Sequence, residues 1–125
     1  MDFAKINDRD TAEAGTFCHF WYPTPDSLMM DGAKPVGANV RGMESFTVRK
    51  TITDIARQGI KGEKAGLALT RALVIDFVGI ERDGKPLTTS DADLKWLFDR
   101  SAKFERQIMT HAESLGNDAP APSEP

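Results

Sequence analysis

The sequence predicts an α+β fold in which an N-terminal antiparallel β-hairpin of two short strands precedes three to four α-helices. Three observations support this fold class. An early stretch is dense in aromatic and β-branched residues, the later segments repeat apolar residues at helical spacing, and glycine- or proline-containing turns separate them. At 125 residues the chain has the length of one domain. We expect this domain to span residues 1–116 and residues 117–125, "NDAPAPSEP", to be a disordered tail.

The predicted hairpin occupies residues 16–42. Its first strand is "TFCHFWY" (residues 16–22), whose side chains favour a pleated sheet, and it ends at the proline-rich "PTPDS". A weaker strand, "VGANVRG" (residues 36–42), follows the turn signal "DGAKP". A lone hairpin is marginal in water, so its apolar face needs cover from a helix or another chain. Residues 1–14 are expected to form a flexible arm or a short helix.

Residues 43–59, "MESFTVRKTITDIARQG", are predicted to form the first large helix. Val48, Ile52, Ile55 and Ala56 recur at helical spacing, and Gly59 suits the position just past a helix end. The threonines and valine lower helix propensity, so a strand is the alternative.

Residues 63–80, "EKAGLALTRALVIDFVGI", are predicted to form one helix that is apolar on nearly every side. This pattern implies burial on more than one face, either as the central helix or under another protein. The turn signal "ERDGKPL" (residues 81–87) is then expected to join this helix to the next.

A helical region follows from residue 90 to residue 115. Ser90 is its predicted N-cap, and Asp93 stands where a capping box places an acidic residue. Residues 99–101 either continue one long helix or mark a bend between two, and residues 116–117, "GN", end it. The apolar stripe of this region comprises Leu94, Leu97, Phe98, Phe104, Ile108, Ala112 and Leu115.

No catalytic, cofactor or metal site is predicted. Cys18 and His19 are adjacent, but neighbouring strand residues point to opposite faces and would not cooperate. His111 has no second ligand at metal-binding spacing. The sequence contains no phosphate-binding loop, dinucleotide-binding glycine pattern, CxxC pair or nucleophile elbow. The chain is therefore expected not to be an enzyme.

Charge and hydropathy exclude further classes of function. The net charge of −3 argues against general binding to nucleic acid phosphates. No apolar run is long enough to cross a bilayer, and the charged beginning "MDFAKINDRD" lacks the apolar core of a secretory signal. A single cysteine fits a reducing compartment. The sequence thus predicts a soluble cytoplasmic protein.

Aromatic side chains give the strongest indication of a binding surface. Trp96 falls outside the stripe that contains Phe98, so the terminal helical region presents aromatic surface on two sides. These side chains either fill the core or anchor a protein partner, because aromatics are enriched at interface anchors. The candidate protein-binding residues are Trp21, Trp96, Phe98, Phe104 and Ile108.

The order of the segments resembles the tail assembly chaperones of long-tailed bacteriophages and prophages. The opening "MDFAKINDRDTAEAG" is similar to the start of that family. So is "HFWYPTPDSLMMDGAKPVGANVRGMESFTVRK" (residues 19–50), with its strand, proline-containing loop, turn, second strand and short step into a helix. In the second half, "FVGI", "ERDGKPL", "TTSDADLKWLF" and "FERQIMTHAESLG" follow the family's order. Where members often have a tryptophan before "GI", this chain has Phe77 and Val78.

The resemblance implies a non-enzymatic assembly factor in the cytoplasm of a bacterial host. Such proteins bind the tape measure protein, keep it soluble and help to recruit tail tube protein, and they are generally absent from the finished virion. Self-association is compatible with that role, because it multiplies weak contacts along a long client. The alternatives are a structural component of the tail and a small adaptor or regulator that binds a protein.

Overall fold

The computed structural model describes residues 8–114 and confirms an α+β fold in which helix exceeds strand. The helices in this part of the chain are α1 (Asp8–Ala14), α2 (Phe46–Gln58), α3 (Gly62–Leu73), α4 (Asp91–Arg100) and α5 (Ala102–Ser114). The strands are β1 (Thr16–His19), β2 (Met30–Asp31), β3 (Lys34–Pro35), β4 (Gly37–Val40), β5 (Val74–Val78), β6 (Glu81–Arg82) and β7 (Lys85–Pro86).

The main sheet has three antiparallel strands in the order β1–β4–β5. Cys18 lies opposite Ala38, which in turn lies opposite Phe77, and these side chains belong to the core beneath α3 and α5. On the other face, the Asn39 side-chain amide donates to the exposed Asp76 carboxylate at 2.7 Å. The predicted pairing within residues 16–42 is therefore confirmed as β1 with β4, and helices of the same chain cover it.

One hydrophobic core joins the sheet to the helices of the second half. Phe20 follows β1, Val40 ends β4 and Leu73 ends α3, and all three are fully buried. Ile108 from α5 is also fully buried, as is Leu94 from α4. Burial of side chains of this size contributes about 1.5–3 kcal/mol each, so this cluster is the main stabilising feature of the fold.

The prediction of a single helix over residues 63–80 is wrong. Helix α3 ends at Leu73, and residues 74–78 form strand β5. Val74, Ile75 and Val78 are β-branched and favour the strand, and β4 offers them an unpaired edge. Residues 63–80 look apolar on every side of a helix because their periodicity changes from helix to strand within the segment. Other elements of this chain cover those apolar side chains that are buried.

The two similar turn signals both form two-residue β-hairpin turns. Gly32 has φ of 63° between β2 and β3, whereas Asp83 and Gly84 have φ of 54° and 79° between β6 and β7. Two consecutive positive φ values are the mark of a type I′ turn, which favours Asp-Gly. The second turn was expected between helices, and this is wrong because the preceding element is strand β5.

Helix α2 forms as predicted, and its ends are well capped. The Ser45 hydroxyl accepts a hydrogen bond from the Val48 amide at 3.0 Å, and Gly59 adopts the left-handed conformation at φ 65°. Of the predicted apolar stripe, Val48 is buried, whereas Ile52 is exposed. Helix α2 therefore lies at the periphery of the core.

The last helical region bends at Ser101, which has φ of −161° and separates α4 from α5. Ser90 caps α4 as predicted, accepting from the Asp93 amide at 3.2 Å. The Asp93 carboxylate bonds instead to the Thr88 amide and hydroxyl, at 2.8 and 2.7 Å, so the reciprocal bond of a capping box is replaced. The predicted helix end at residues 116–117 and the predicted tail at residues 117–125 lie outside the described residues.

Candidate protein-binding surfaces

The structure places most of the predicted binding residues in or against the core. Ile108 is fully buried and Phe104 is buried, while Trp96 and Phe98 are partly buried beside them. Phe104 packs on the Phe20 ring with centroids 5.2 Å apart. Of the two roles considered from the sequence, core or groove, Phe104 and Ile108 belong to the core and offer little surface to a partner, whereas Trp96 and Phe98 pack against the core and stay partly exposed.

Trp21 is held by its backbone and by one side chain of α5. Its amide donates to Gln107 Oε1 at 2.9 Å, and Gln107 Nε2 donates to its carbonyl at 2.9 Å. The buried side-chain amide of Gln107 thus pairs with both backbone groups of Trp21, just beyond the end of β1. Lys103 Nζ lies 6.0 Å from the centroid of the Trp21 ring. Trp21 therefore has a structural role, although its ring is partly exposed.

Trp96 lies between two guanidinium groups. Arg100 is 4.2 Å and Arg82 is 5.5 Å from the indole centroid, within the range of cation–π attraction. Arg82 is itself held by the Asp93 carboxylate at 3.0 Å, and these contacts with Arg82 and Thr88 lower the pKa of Asp93. The largest contribution to that shift comes from the Thr88 hydroxyl. Cationic side chains, rather than solvent alone, cover the partly exposed indole.

Cys18 and His19 point to different partners, as the strand alternation predicts. Cys18 Sγ faces the Gln107 carbonyl at 3.8 Å, whereas His19 Nε2 is 2.8 Å from the Met29 carbonyl. Burial raises the pKa of Cys18 to about 12, so the nucleophilic thiolate is scarce at neutral pH. His111 Nε2 contacts the Thr16 hydroxyl at 2.7 Å, and its pKa is lowered, chiefly by burial.

The first exposed apolar surface lies in the connection between β1 and β2. Tyr22, Leu28 and Met30, which we call the 22–30 surface, are all exposed. Trp21 and Leu28 form an isolated antiparallel bridge, and Lys103 Nζ donates to the Pro23 carbonyl at 2.8 Å. These contacts fix the proline-containing loop, and the centroid of the Tyr22 ring lies 5.9 Å from that of the Phe104 ring while about half of the Tyr22 surface stays exposed.

The second exposed surface runs along α2, and Phe46 is its most exposed apolar residue, at 69% of its surface. Exposed residues recur every three or four positions, so they lie along one side of the helix. With Arg9 of α1 they border a groove of about 420 Å³. We define the α2 surface as Arg9, Phe46, Arg49, Lys50, Thr53 and Arg57.

One carboxylate fixes α1 against the start of α2. Glu13 accepts from the Thr47 amide at 2.9 Å and from the Thr47 hydroxyl at 2.6 Å. Arg41 Nε lies 3.2 Å from the same carboxylate, and Arg41 also donates to the Ala72 carbonyl at 2.9 Å. The hydrogen bonds from Thr47, and then the Arg41 charge, hold the pKa of Glu13 below its usual value. The groove is therefore built from two helices joined by a specific polar contact.

The α2 surface is not among the sites predicted from the sequence, because the prediction for that helix rests on its apolar stripe. The polar side carried the signal: Phe46, Arg49, Lys50, Thr53 and Arg57 are spaced at i, i+3, i+4, i+7 and i+11. A phenylalanine in a line of basic residues is unusual for a solvated helix face. The aromatic residues of the last two helices were more conspicuous, but they serve mainly as core.

Comparisons with known proteins give no relative for this chain. No protein-family model, curated protein or solved structure matches it significantly. Within residues 8–114, no helix is long and apolar enough to cross a membrane. In the same range, no cluster of three or more histidine, cysteine, aspartate or glutamate side chains could hold a metal ion.

Proposed function

We propose that this protein is a non-enzymatic tail assembly chaperone of a long-tailed phage. In this role it binds the tape measure protein, keeps it soluble and helps to recruit tail tube subunits in the bacterial cytoplasm. The ordered series of segments that resembles this family supplies the identity of the client. The exposed apolar surfaces of the folded chain supply the means of binding.

The observation that carries the proposal is the exposure of large apolar side chains on two separate surfaces. Phe46 is the most exposed, and Tyr22, Leu28 and Met30 are about half exposed, although the same chain buries an extensive core. Single exposed apolar residues are ordinary, so the proposal rests on the three of the 22–30 surface and on the combination of Phe46 with the groove beside it. A chaperone for amphipathic helices needs such surfaces and no chemical step.

The test is co-expression with the tape measure protein of the same phage, with the soluble fraction of the client as the readout. We expect the wild-type protein to raise that fraction several-fold. Leu28→Ser combined with Met30→Ser should reduce the rescue, because it replaces two exposed apolar contacts with hydroxyls. These residues are exposed, so the fold should survive the change.

Ile75→Thr provides a matched control. Ile75 is also an exposed apolar residue, but it lies on β5 and belongs to neither the 22–30 surface nor the α2 surface, and threonine keeps the β-branching that a strand favours. This variant should rescue the client as well as the wild type does. A tape measure protein that stays insoluble with the wild-type chain would refute the proposed function.

A further inference from the structure

We propose that the α2 surface docks an acidic amphipathic helix of the client, with Phe46 as the apolar anchor. This inference deepens the proposed function and rests on it for the identity of the client. It assigns to the chain a binding site that differs from the aromatic residues singled out in the sequence.

The form of the partner follows from the helix that presents the surface. The backbone amides and carbonyls of α2 are bonded within the helix and at its caps, so an extended strand finds no free edge to pair with. Contact must therefore occur through side chains. From Phe46 to Arg57 the exposed line covers three turns, roughly 16 Å at the rise of an α-helix. A second helix packed alongside matches such a line through its own i, i+3 and i+4 side chains.

The charge of the partner follows from the border of the groove. Of the residues in the described range 8–114, four basic residues and one acidic residue line it together with Phe46 and Thr53. The basic residues are Arg9, Arg49, Lys50 and Arg57, and the acidic residue is Asp54. Arg49 has an exposed ion pair with Glu44 at 3.4 Å, whereas Lys50 and Arg57 have none within residues 8–114. This local excess of positive charge, in a chain of net charge −3, complements carboxylates.

A polypeptide fits this surface better than a nucleic acid does. Phe46 exposes 69% of its surface at this groove, so burial of its ring supplies an apolar part of the available contact. Single-stranded nucleic acids bind where several aromatic rings stack successive bases in a basic groove. Among residues 8–114, Phe46 is the single aromatic side chain that lines this groove. A partner helix with an apolar stripe flanked by carboxylates would contact both the Phe46 ring and the basic side chains of the α2 surface.

The direct test measures binding of synthetic helical peptides by fluorescence anisotropy. The probe is an amphipathic peptide of about 18 residues, five helical turns, with leucines in one stripe and glutamates on both flanks. The comparison peptide has lysine at every glutamate position, and a single-stranded DNA of similar charge is the third probe. We expect the acidic peptide to bind at least about tenfold more tightly than the basic peptide, and more weakly as salt increases.

Variants of α2 separate the apolar anchor from the charges. Phe46→Ala should lower the affinity for the acidic peptide by about tenfold or more, as the loss of an interface anchor does. Lys50→Glu combined with Arg57→Glu should reverse the preference, so that the basic peptide binds more tightly. The matched control is Lys64→Glu combined with Lys85→Glu, which makes the same change in net charge at two exposed lysines outside the groove.

Three results would overturn the inference. They are equal affinity for the two peptides, an equal effect of the control pair, and DNA binding that is tighter than peptide binding and lost in the α2 variants. Co-expression then separates this inference from the proposed function. If Phe46→Ala and the α2 charge variant keep the tape measure protein soluble, the chaperone role stands without this site. If the wild type fails there but binds the acidic peptide, the site stands and the proposed client is wrong.

Discussion

Helices α2 and α5 both contain 13 residues and both have a strong apolar stripe, yet the fold uses them differently. Helix α5 packs against α3, α4 and the sheet, and it buries Phe104, Gln107, Ile108 and Ala112. Helix α2 packs mainly on α3 and α1, and Val48 is its buried residue. An amphipathic pattern therefore predicts a helix, but the position of that helix in the fold decides whether its aromatic residues become core or surface.

The largest expected effect is a difference in stability between the two helices. Ile108→Ala should lower the free energy of unfolding by about 2–5 kcal/mol, because it opens a cavity in the centre of the core. Phe46→Ala removes a larger side chain but should change the same quantity by no more than about 0.5 kcal/mol, since that residue is mostly exposed. Urea unfolding of both variants measures the contrast. A destabilisation by Phe46→Ala similar to that by Ile108→Ala would show that α2 is not peripheral.

The contrast also explains which parts of the fold could be predicted from the sequence. Local signals were enough for the β1–β4 pair, for α2 with its caps at Ser45 and Gly59, and for the helix start at Ser90. They failed at residues 74–78, where pairing with β4 decides between helix and strand. That choice depends on a strand more than thirty residues away in the sequence.

The candidate site was harder to predict than the fold for a related reason. Phe104 is buried because α5 lies against Phe20, whereas the contact of α1 with the start of α2 runs through Thr47 and leaves the Phe46 ring mostly exposed. The position of Phe46 on the polar side of α2 indicates part of this difference, but spacing does not show which neighbouring elements cover a ring. Sequence alone thus indicated aromatic side chains as candidates but not which of them faces solvent.

An intermediate effect is expected where α5 meets the end of β1. Gln107→Ala removes the amide that pairs with both the amide and the carbonyl of Trp21, and it leaves these partly buried groups without a protein partner. The expected loss in the free energy of unfolding is about 1–3 kcal/mol. Denaturant unfolding measures the loss, and hydrogen exchange at the Trp21 amide should accelerate more than exchange at the amides of α2.

Thr110→Ala is the control for Gln107→Ala. Thr110 is an exposed position on the same helix, and no hydrogen bond of its side chain is recorded among the described residues, so this change should leave stability and exchange nearly unaltered. If Gln107→Ala is as mild as this control, the pairing with Trp21 contributes little and α5 is held by its apolar contacts alone.

The smallest expected effect concerns the polar contact that fixes α1 to α2. Glu13→Gln keeps an acceptor for Thr47 but removes the charge, and we expect a loss of about 0.5–1 kcal/mol at neutral pH, because the carboxylate is 37% exposed and partly screened. Since the pKa of Glu13 is lower in the folded than in the unfolded chain, its stabilisation is present above the usual value of 4.5 and is lost as pH falls through the folded value.

The difference between wild type and Glu13→Gln should therefore be largest near pH 7 and close progressively below about pH 5. Thermal unfolding over that pH range is the measurement. Glu44→Gln is the control, because the pair that Glu44 forms with Arg49 is 3.4 Å long and more than half exposed, so its effect should be smaller at every pH. A Glu13→Gln difference that stays constant down to pH 3 would mean that the charge contributes nothing. In that case hydrogen bonds alone, which glutamine can accept as well as glutamate, would hold α1 in place at the border of the groove beside Phe46.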